Sequence, residues 1–282
     1  MKSVLLVNRL IRLSKKTFTL LLVVFTLSLT SGCSQSTEVG IIIAGSTSVQ
    51  PFAEGLAEEY MRLNPGFIID VQGGGSSAGI MSAQTDTADI GMSSRNLKDE
   101  EKTLWSVEIA RDGLAVIVHP SNPIHNLTLQ QVRYIYSGVI SNWNQLGGPN
   151  KDIHVITREE GSGTRSAFES LVMNKINIDP HAIVQDSNGT VRLLVGDDPY
   201  AIGYVSLGLV NERVKAVELN GVEATRENVI NGTYNLSRPF LFVINGEPTG
   251  DVKKFIDFVL SDEGKRLLNA EGLITFDNGG TQ

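Results

Sequence analysis

The chain reads as an α/β protein built on a largely parallel sheet, and three observations carry that reading. Short β-branched apolar runs alternate with stretches of helical apolar periodicity along the chain. Turns rich in Gly, Ser and Thr stand where a run hands over to such a stretch. The 282 residues are 41% hydrophobic and 20% charged. That is enough apolar material for a large core, and too little charge for a disordered chain.

The elements follow in order. Gly40-Ile41-Ile42-Ile43-Ala44 is apolar without alternation, as a strand buried on both faces must be. Gly45-Ser46-Thr47-Ser48 breaks it, and 49–63 then carries Phe52, Leu56, Ala57, Tyr60 and Leu63 on one helical stripe. Asn64-Pro65-Gly66 stops that helix. Phe67-Ile68-Ile69-Asp70-Val71 is a second strand, 78–84 a second helix and Ala88-Asp89-Ile90-Gly91-Met92 a third strand. Gly113-Leu114-Ala115-Val116-Ile117-Val118-His119-Pro120 is a long apolar strand, a candidate crossover between two lobes. Thr128 caps a helix over 129–136, which Gly138 ends. Ile153-His154-Val155-Ile156 and Ile202-Gly203-Tyr204-Val205 predict strands and 165–173 a helix. Arg238-Pro239-Phe240-Leu241-Phe242-Val243-Ile244 is a second candidate crossover, followed by helices at about 251–260 and 263–269. Neither a solenoid-period repeat nor a heptad pattern interrupts this order.

The first 33 residues are of another kind. Lys2, Arg9, Arg12, Lys15 and Lys16 precede an apolar run at 18–29 and then Thr30-Ser31-Gly32-Cys33, the order of a secretory signal. The run is too short for a membrane span, which needs roughly 20 residues. Cys33 is the chain's one cysteine and directly follows the small residues. That placement resembles the lipobox of bacterial lipoproteins, with Thr30 in place of the usual Leu, and implies acylation of Cys33 and a short tether at 34–39. A single Cys excludes an internal disulfide or a multi-cysteine zinc site. The formal net charge of −7 includes these five basic residues; without them 19 basic face 31 acidic residues, or −12. Such a balance argues against a nucleic-acid partner.

Three turns share one construction. Gly45-Ser46-Thr47-Ser48, Gly73-Gly74-Gly75-Ser76-Ser77 and Gly161-Ser162-Gly163-Thr164 each follow a strand and open a helix. A helix start offers unpaired N–H groups and the positive end of the dipole, and hydroxyls add donors. Taken singly, each turn is ordinary capping chemistry; together, and without lysine, they suit a small tetrahedral oxyanion. The third lies in Arg158-Glu159-Glu160-Gly161-Ser162-Gly163-Thr164-Arg165, where Arg158 can present a two-pronged donor to an oxyanion. Arg95 and Arg165 border the same motifs, either as loop-holding ion pairs or as contributors to the local potential.

These motifs resemble the phosphate-binding proteins of Pst-type ABC importers, in their shorter lipoprotein form. The matching stretches include Ala44-Gly45-Ser46-Thr47-Ser48-Val49-Gln50-Pro51, Val71-Gln72-Gly73-Gly74-Gly75-Ser76-Ser77-Ala78-Gly79, Ile109-Ala110-Arg111-Asp112-Gly113 and Ala201-Ile202-Gly203-Tyr204-Val205-Ser206, in that order along the chain. The resemblance implies a type II periplasmic-binding-protein fold: two α/β lobes, two crossover strands and a central ligand cleft. Lobe 1 would take 40–118 and 240–282, and lobe 2 would take 119–239. By motif, Thr47, Ser48, Ser76, Arg158, Ser162, Gly163 and Thr164 are implied phosphate contacts, with Glu160 orienting Arg158. Where the longer members carry an Asp that accepts the phosphate proton, this chain has Ser94, which makes Asp112 the candidate acceptor. A buried carboxylate can accept a hydrogen bond from protonated phosphate but meets only like charge in sulfate.

The implied protein is not an enzyme and needs no cofactor or metal. It is an extracytoplasmic, lipid-anchored monomer that closes on inorganic phosphate and delivers it to the permease of an ABC importer. Carriers of sulfate or molybdate share such a fold, and so can an adhesin or receptor in which Trp105 and Trp143 are exposed. Gly75-Ser76-Ser77-Ala78-Gly79 also fits the Gly-x-Ser-x-Gly pattern of a serine hydrolase, and His119, His125, His154 and His181 follow it. None of these histidines has a recognisable acid partner in sequence, and no metal-ligand spacing supports a phosphatase.

Overall fold

The computed structural model describes residues 40–276; the signal segment, Cys33 and the 34–39 tether lie outside them. Strand β1 (Ile41–Gly45) leads through the first Ser/Thr turn into helix α1 (Gln50–Leu63), with Pro51 in its first turn, where no N–H is missed. Helix α1 buries Phe52, Ala53, Leu56, Ala57 and Tyr60, and ends at Asn64 as expected. Strand β2 (Ile69–Gly73), helix α2 (Ser76–Gln84) and strand β3 (Ile90–Ser93) complete the first unit. Helix α2 packs so closely on the sheet that a Cβ on Gly79 would lie 2.5 Å from the Cα of Gly45. Only glycine fits there.

Strand β4 (Trp105–Val118) is longer than its apolar run, because the sequence expectation began at Gly113. Val107, Ile109 and Ala110 are buried upstream, but Arg111 and Asp112 interrupt the hydrophobic signal. Beyond it come β5 (Asn126–Leu127), α3 (Leu129–Tyr136), β6 (His154–Arg158) and α4 (Gly163–Phe168). Thr128 caps α3 in a reciprocal box with Gln131. Helix α4 passes into a π-helical turn at Glu169–Met173, where an unbroken helix was expected. Strand β7 (Ile183–Gln185), helix α5 (Asn188–Asp197) and strand β8 (Ala201–Ser206) follow. Short strands β9 (Lys215–Ala216) and β10 (Glu218–Leu219) and helix α6 (Arg226–Ile230) lead to β11 (Ser237–Ile244). Helices α7 (Gly250–Leu260) and α8 (Asp262–Ala270) close the described chain.

One sheet runs in the order β2-β1-β3-β11-β4-β8-β6-β7, with β9 beside β4, while β5 and β10 pair separately. β1 is parallel to β2 and β3, and β6 is parallel to β7 and β8. β4 and β11 run antiparallel between these two parallel sets. β4 pairs with β11 through Trp105–Gly113 and with β8 through Leu114–Val118. It therefore leaves one parallel set and enters the other at Gly113.

The apolar cores change at the same place. One cluster joins Ile41, Ile43, Phe52, Tyr60, Ile109 and Ala110 to Phe240, Phe242, Phe255 and Leu268. A second joins Leu114, Val116, Tyr136, Trp143, Phe168 and Tyr204 to Leu236, and a third joins Ile117, Ile156, Val191 and Val205. Along β4 the change falls between Ala110 and Leu114; on the return it falls between Leu236, just before β11, and Phe240. Trp143 is fully buried with its Nε1 donating to the Tyr200 carbonyl, and Trp105 packs against the first core, so both serve packing. Among the described residues no helix is long and apolar enough to cross a membrane.

Candidate anion-binding site

The strand ends bring the three turns to one place. Gly74 N and Gly75 N both donate to the Gly45 carbonyl, which ties the second turn to the first. Ser77 N donates to the Gly161 carbonyl, which ties the second to the third. Ser48 is the hub. Its hydroxyl lies 2.7 Å from Thr164 Oγ1 and accepts from Asn188 Nδ2 at 2.8 Å and from Arg238 Nη2 at 3.1 Å. Ser76 and Ser94 stand beside it: Ser94 N donates to Ser76 Oγ, and Ser46 Oγ donates to Ser94 Oγ. A Cβ on Gly163 would collide with Ser76 Oγ and lie 2.6 Å from Ser94 Oγ, so α4 starts as close to these hydroxyls as backbone allows. Ser48, Ser76, Ser94, Ser162 and Thr164 are all buried.

Arg158 closes one side. It is 1% exposed at the end of β6, held there by Tyr204, whose hydroxyl accepts from Arg158 N and lies 2.7 Å from Thr157 Oγ1. Tyr204 is itself fixed by Phe168, stacked at 4.1 Å, and by Tyr136. Burial pushes the Tyr204 hydroxyl up to about 12, with Thr157 pulling the other way. The Arg158 guanidinium donates from Nε and Nη2 to both oxygens of Glu159, and from Nη2 to Thr47 Oγ1 at 3.1 Å. This corrects the expectation for Glu160, which is exposed. A side chain following Arg158 directly on the strand end can fold back along the guanidinium, whereas Glu160 has already turned outward.

Ser162 is also placed differently from a simple ligand contact. Its Oγ accepts from Arg165 N and caps α4. Arg165 pairs with Glu169 and donates to the Arg158 carbonyl, while Arg95 pairs with Glu101 at 2.7 Å; both hold loops.

Asp112 is 1% exposed and faces Arg238 directly across the β4–β11 ladder. Arg238 donates to Asp112 Oδ2 from Nε and Nη2, and Ser206 Oγ donates to Oδ1 at 2.8 Å. Burial raises the Asp112 pKa above its ordinary value, with the Arg238 charge and the Ser206 hydroxyl opposing. Burial likewise lowers that of Arg238, with Asp112 opposing and the neighbouring Arg158 charge adding to the fall. The carboxylate expected to accept a proton from the ligand is thus already engaged by its own strand partner.

Three buried groups escaped the sequence reading: Asn188, Ser206 and Arg238. Asn188 sits at the first turn of α5, behind the cap Ser187, in a Ser187-Asn188-Gly189-Thr190 segment of the same composition as the other three turns. That composition was the available signal. For Arg238 the signal was a charge heading an otherwise apolar strand.

The histidines lie elsewhere. His119 pairs with Ser121, His154 with Asp198 and His181 with Asp179, while His125 is exposed. Ser77, the serine of the hydrolase-like pattern, instead faces Arg95 Nη2 at 3.4 Å. Among the described residues no group of three His, Cys, Asp or Glu side chains forms a metal cluster.

Comparison with known proteins places this arrangement. A PBP superfamily domain model matches residues 31–263. The phosphate-binding protein PstS of Bacillus subtilis is 31% identical over 241 residues, covering 83% of this chain and 80% of that protein. A Clostridium perfringens structure described as a phosphate ABC transporter substrate-binding protein with bound phosphate is 45% identical. It covers 84% of this chain and 99% of its own, with a TM-score of 0.81. An ABC-type phosphate transport receptor from Vibrio cholerae is 40% identical with a TM-score of 0.70, covering 84% and 100%. The fold is that of type II periplasmic binding proteins, as the motifs implied. With its serine- and glycine-lined turns gathered around Arg158, and relatives matched over most of its length, the chain belongs to the PstS phosphate-binding protein family of the PBP superfamily.

Proposed function

We propose that this protein captures inorganic phosphate outside the cytoplasm and delivers it to an ABC importer, without turning it over. The observation that carries this reading is the convergence of the Ser48, Ser76, Ser94 and Thr164 hydroxyls on one buried point flanked by Arg158. A tetrahedral oxyanion suits a shell of hydroxyl and backbone donors with one fixed guanidinium. Thr47, Ser48, Ser76, Ser94, Arg158, Ser162, Gly163 and Thr164 form this shell, the Ser162 contribution being its backbone, since its hydroxyl caps α4. Asp112 stands behind Ser48 through Arg238. Ser and Thr hydroxyls both donate and accept, so this shell can receive the proton of hydrogen phosphate as well as bond its bare oxygens.

The two core systems act as lobes that close on the ligand, with β4 and β11 as the crossovers near Asp112 and Arg238. Small-angle scattering should record compaction on adding phosphate; an unchanged radius of gyration counts against closure. The protein is exported and held by lipid on Cys33, which lies outside the described residues, and works as a monomer with its permease.

Equilibrium dialysis of the phosphate-stripped protein against labelled phosphate tests the function, run beside a turnover assay with a generic phosphomonoester. The expected outcome is saturable phosphate retention near one equivalent without hydrolysis. Hydrolysis, or no retention, would overturn the proposal.

A further inference from the structure

Two buried arginines at this site are built alike. Arg158 places Nε and Nη2 on Glu159 and reaches Thr47 with Nη2; Arg238 places Nε and Nη2 on Asp112 and reaches Ser48 with Nη2. In both, Nη1 is buried without a hydrogen-bond partner. Burying a cationic N–H donor unpaired is costly, and a protein that does so twice within one constellation has kept those donors for something else. Thr47 and Ser48 are neighbours in one turn, so the guanidiniums reach adjacent hydroxyls from different strands: Arg158 from the end of β6, Arg238 from the crossover strand β11.

We propose that Arg238 is a second anion-binding arginine, donating from Nη1 to the ligand alongside Arg158, and that Asp112 is its counterion. This deepens the phosphate-binding reading and rests on it. Asp112 already receives two donations from Arg238 and one from Ser206, and the Gly208 backbone adds to them, so its acceptor capacity is largely spent on strand partners. Its task is to hold the guanidinium flat and fixed, as Glu159 does for Arg158. Because Arg238 sits where β11 passes from one core to the other, a ligand bound to it is gripped by the crossover as well as by the turns.

Titration calorimetry with inorganic phosphate on the stripped wild type, Arg238→Gln, Asp112→Asn and the double variant separates direct binding from fold support. Arg238→Gln is expected to weaken phosphate at least roughly 30-fold. The double variant replaces the ion pair by a neutral hydrogen-bonding pair. It is expected to stay weak, because the ligand's second guanidinium is still missing. Recovery of the double variant to within about threefold of wild type would overturn the assignment and leave Arg238 as a support for Asp112. If the wild type itself binds no phosphate, the parent reading fails and takes this one with it. A crystal structure of the wild type with phosphate is the second measurement, independent of how the variants fold. A phosphate oxygen within about 3.2 Å of an Arg238 Nη is expected, and a separation beyond about 4 Å would overturn the proposal.

Discussion

Gly163 shows how much of the site depends on the absence of one atom. Its position against Ser76 and Ser94 leaves no space for a methyl group, and both hydroxyls sit on short side chains with little room to move. Gly163→Ala should therefore displace the Ser76–Ser94 pair and weaken phosphate at least about tenfold, roughly 1.4 kcal/mol, by calorimetry. Unchanged affinity would mean that α4 does not hold these groups in place. Tyr204 offers a second test. Its hydroxyl titrates at about 12 in the fold, above its ordinary value of 10.0, so the folded state holds that proton when the unfolded chain has released it. This contribution is complete below about pH 10 and is lost as pH rises toward 12. Tyr204→Phe should lose less stability across that window than wild type, by about 2–3 kcal/mol, in denaturant titrations at stepped alkaline pH. Identical slopes would contradict the assignment. Most residues of the shell were legible, because Gly, Ser and Thr before a helix advertise exposed donors. The partner of Arg158 was not: Glu159 and Glu160 are chemically the same, and only the path of the chain out of β6 decides between them.

Elements show the same division between local and long-range information. Helix α3 was readable from Thr128 at one end and Gly138 beyond the other, because capping is a local bargain between side chain and backbone. Thr128→Ala should lower stability by about 1 kcal/mol and leave phosphate affinity unchanged, since the capping box joins Thr128 to Gln131 and to no site residue. A loss of binding in that variant would show that α3 transmits to the cleft. Strand β4 was only half readable. Its downstream part is continuously apolar, but upstream the charged pair Arg111-Asp112 interrupts the hydrophobic signal. Asp112 is tolerated in the middle of the sheet because Arg238 faces it at the same rung of β11, 126 residues away. No local pattern contains that fact. Helix α5 was missed for a related reason: its turn, Ser187-Asn188-Gly189-Thr190, resembles ordinary capping until Asn188 is seen to reach Ser48.

At the scale of the molecule, the alternation of strand and helix fixed the fold class, while the changeover of cores near Gly113 and Pro239 needed the ladder pairings of β4 and β11. Beyond the export segment the chain carries a formal charge of −12, so its broad field repels the anion it takes up. Capture must come from short-range donors in a buried site, where salt screens weakly. The most direct test is calorimetry of the phosphate-stripped protein against phosphate at low and high salt. Phosphate binding is expected to change less than about threefold with salt. A steep loss of phosphate binding with added salt would contradict capture by short-range donors in a buried site.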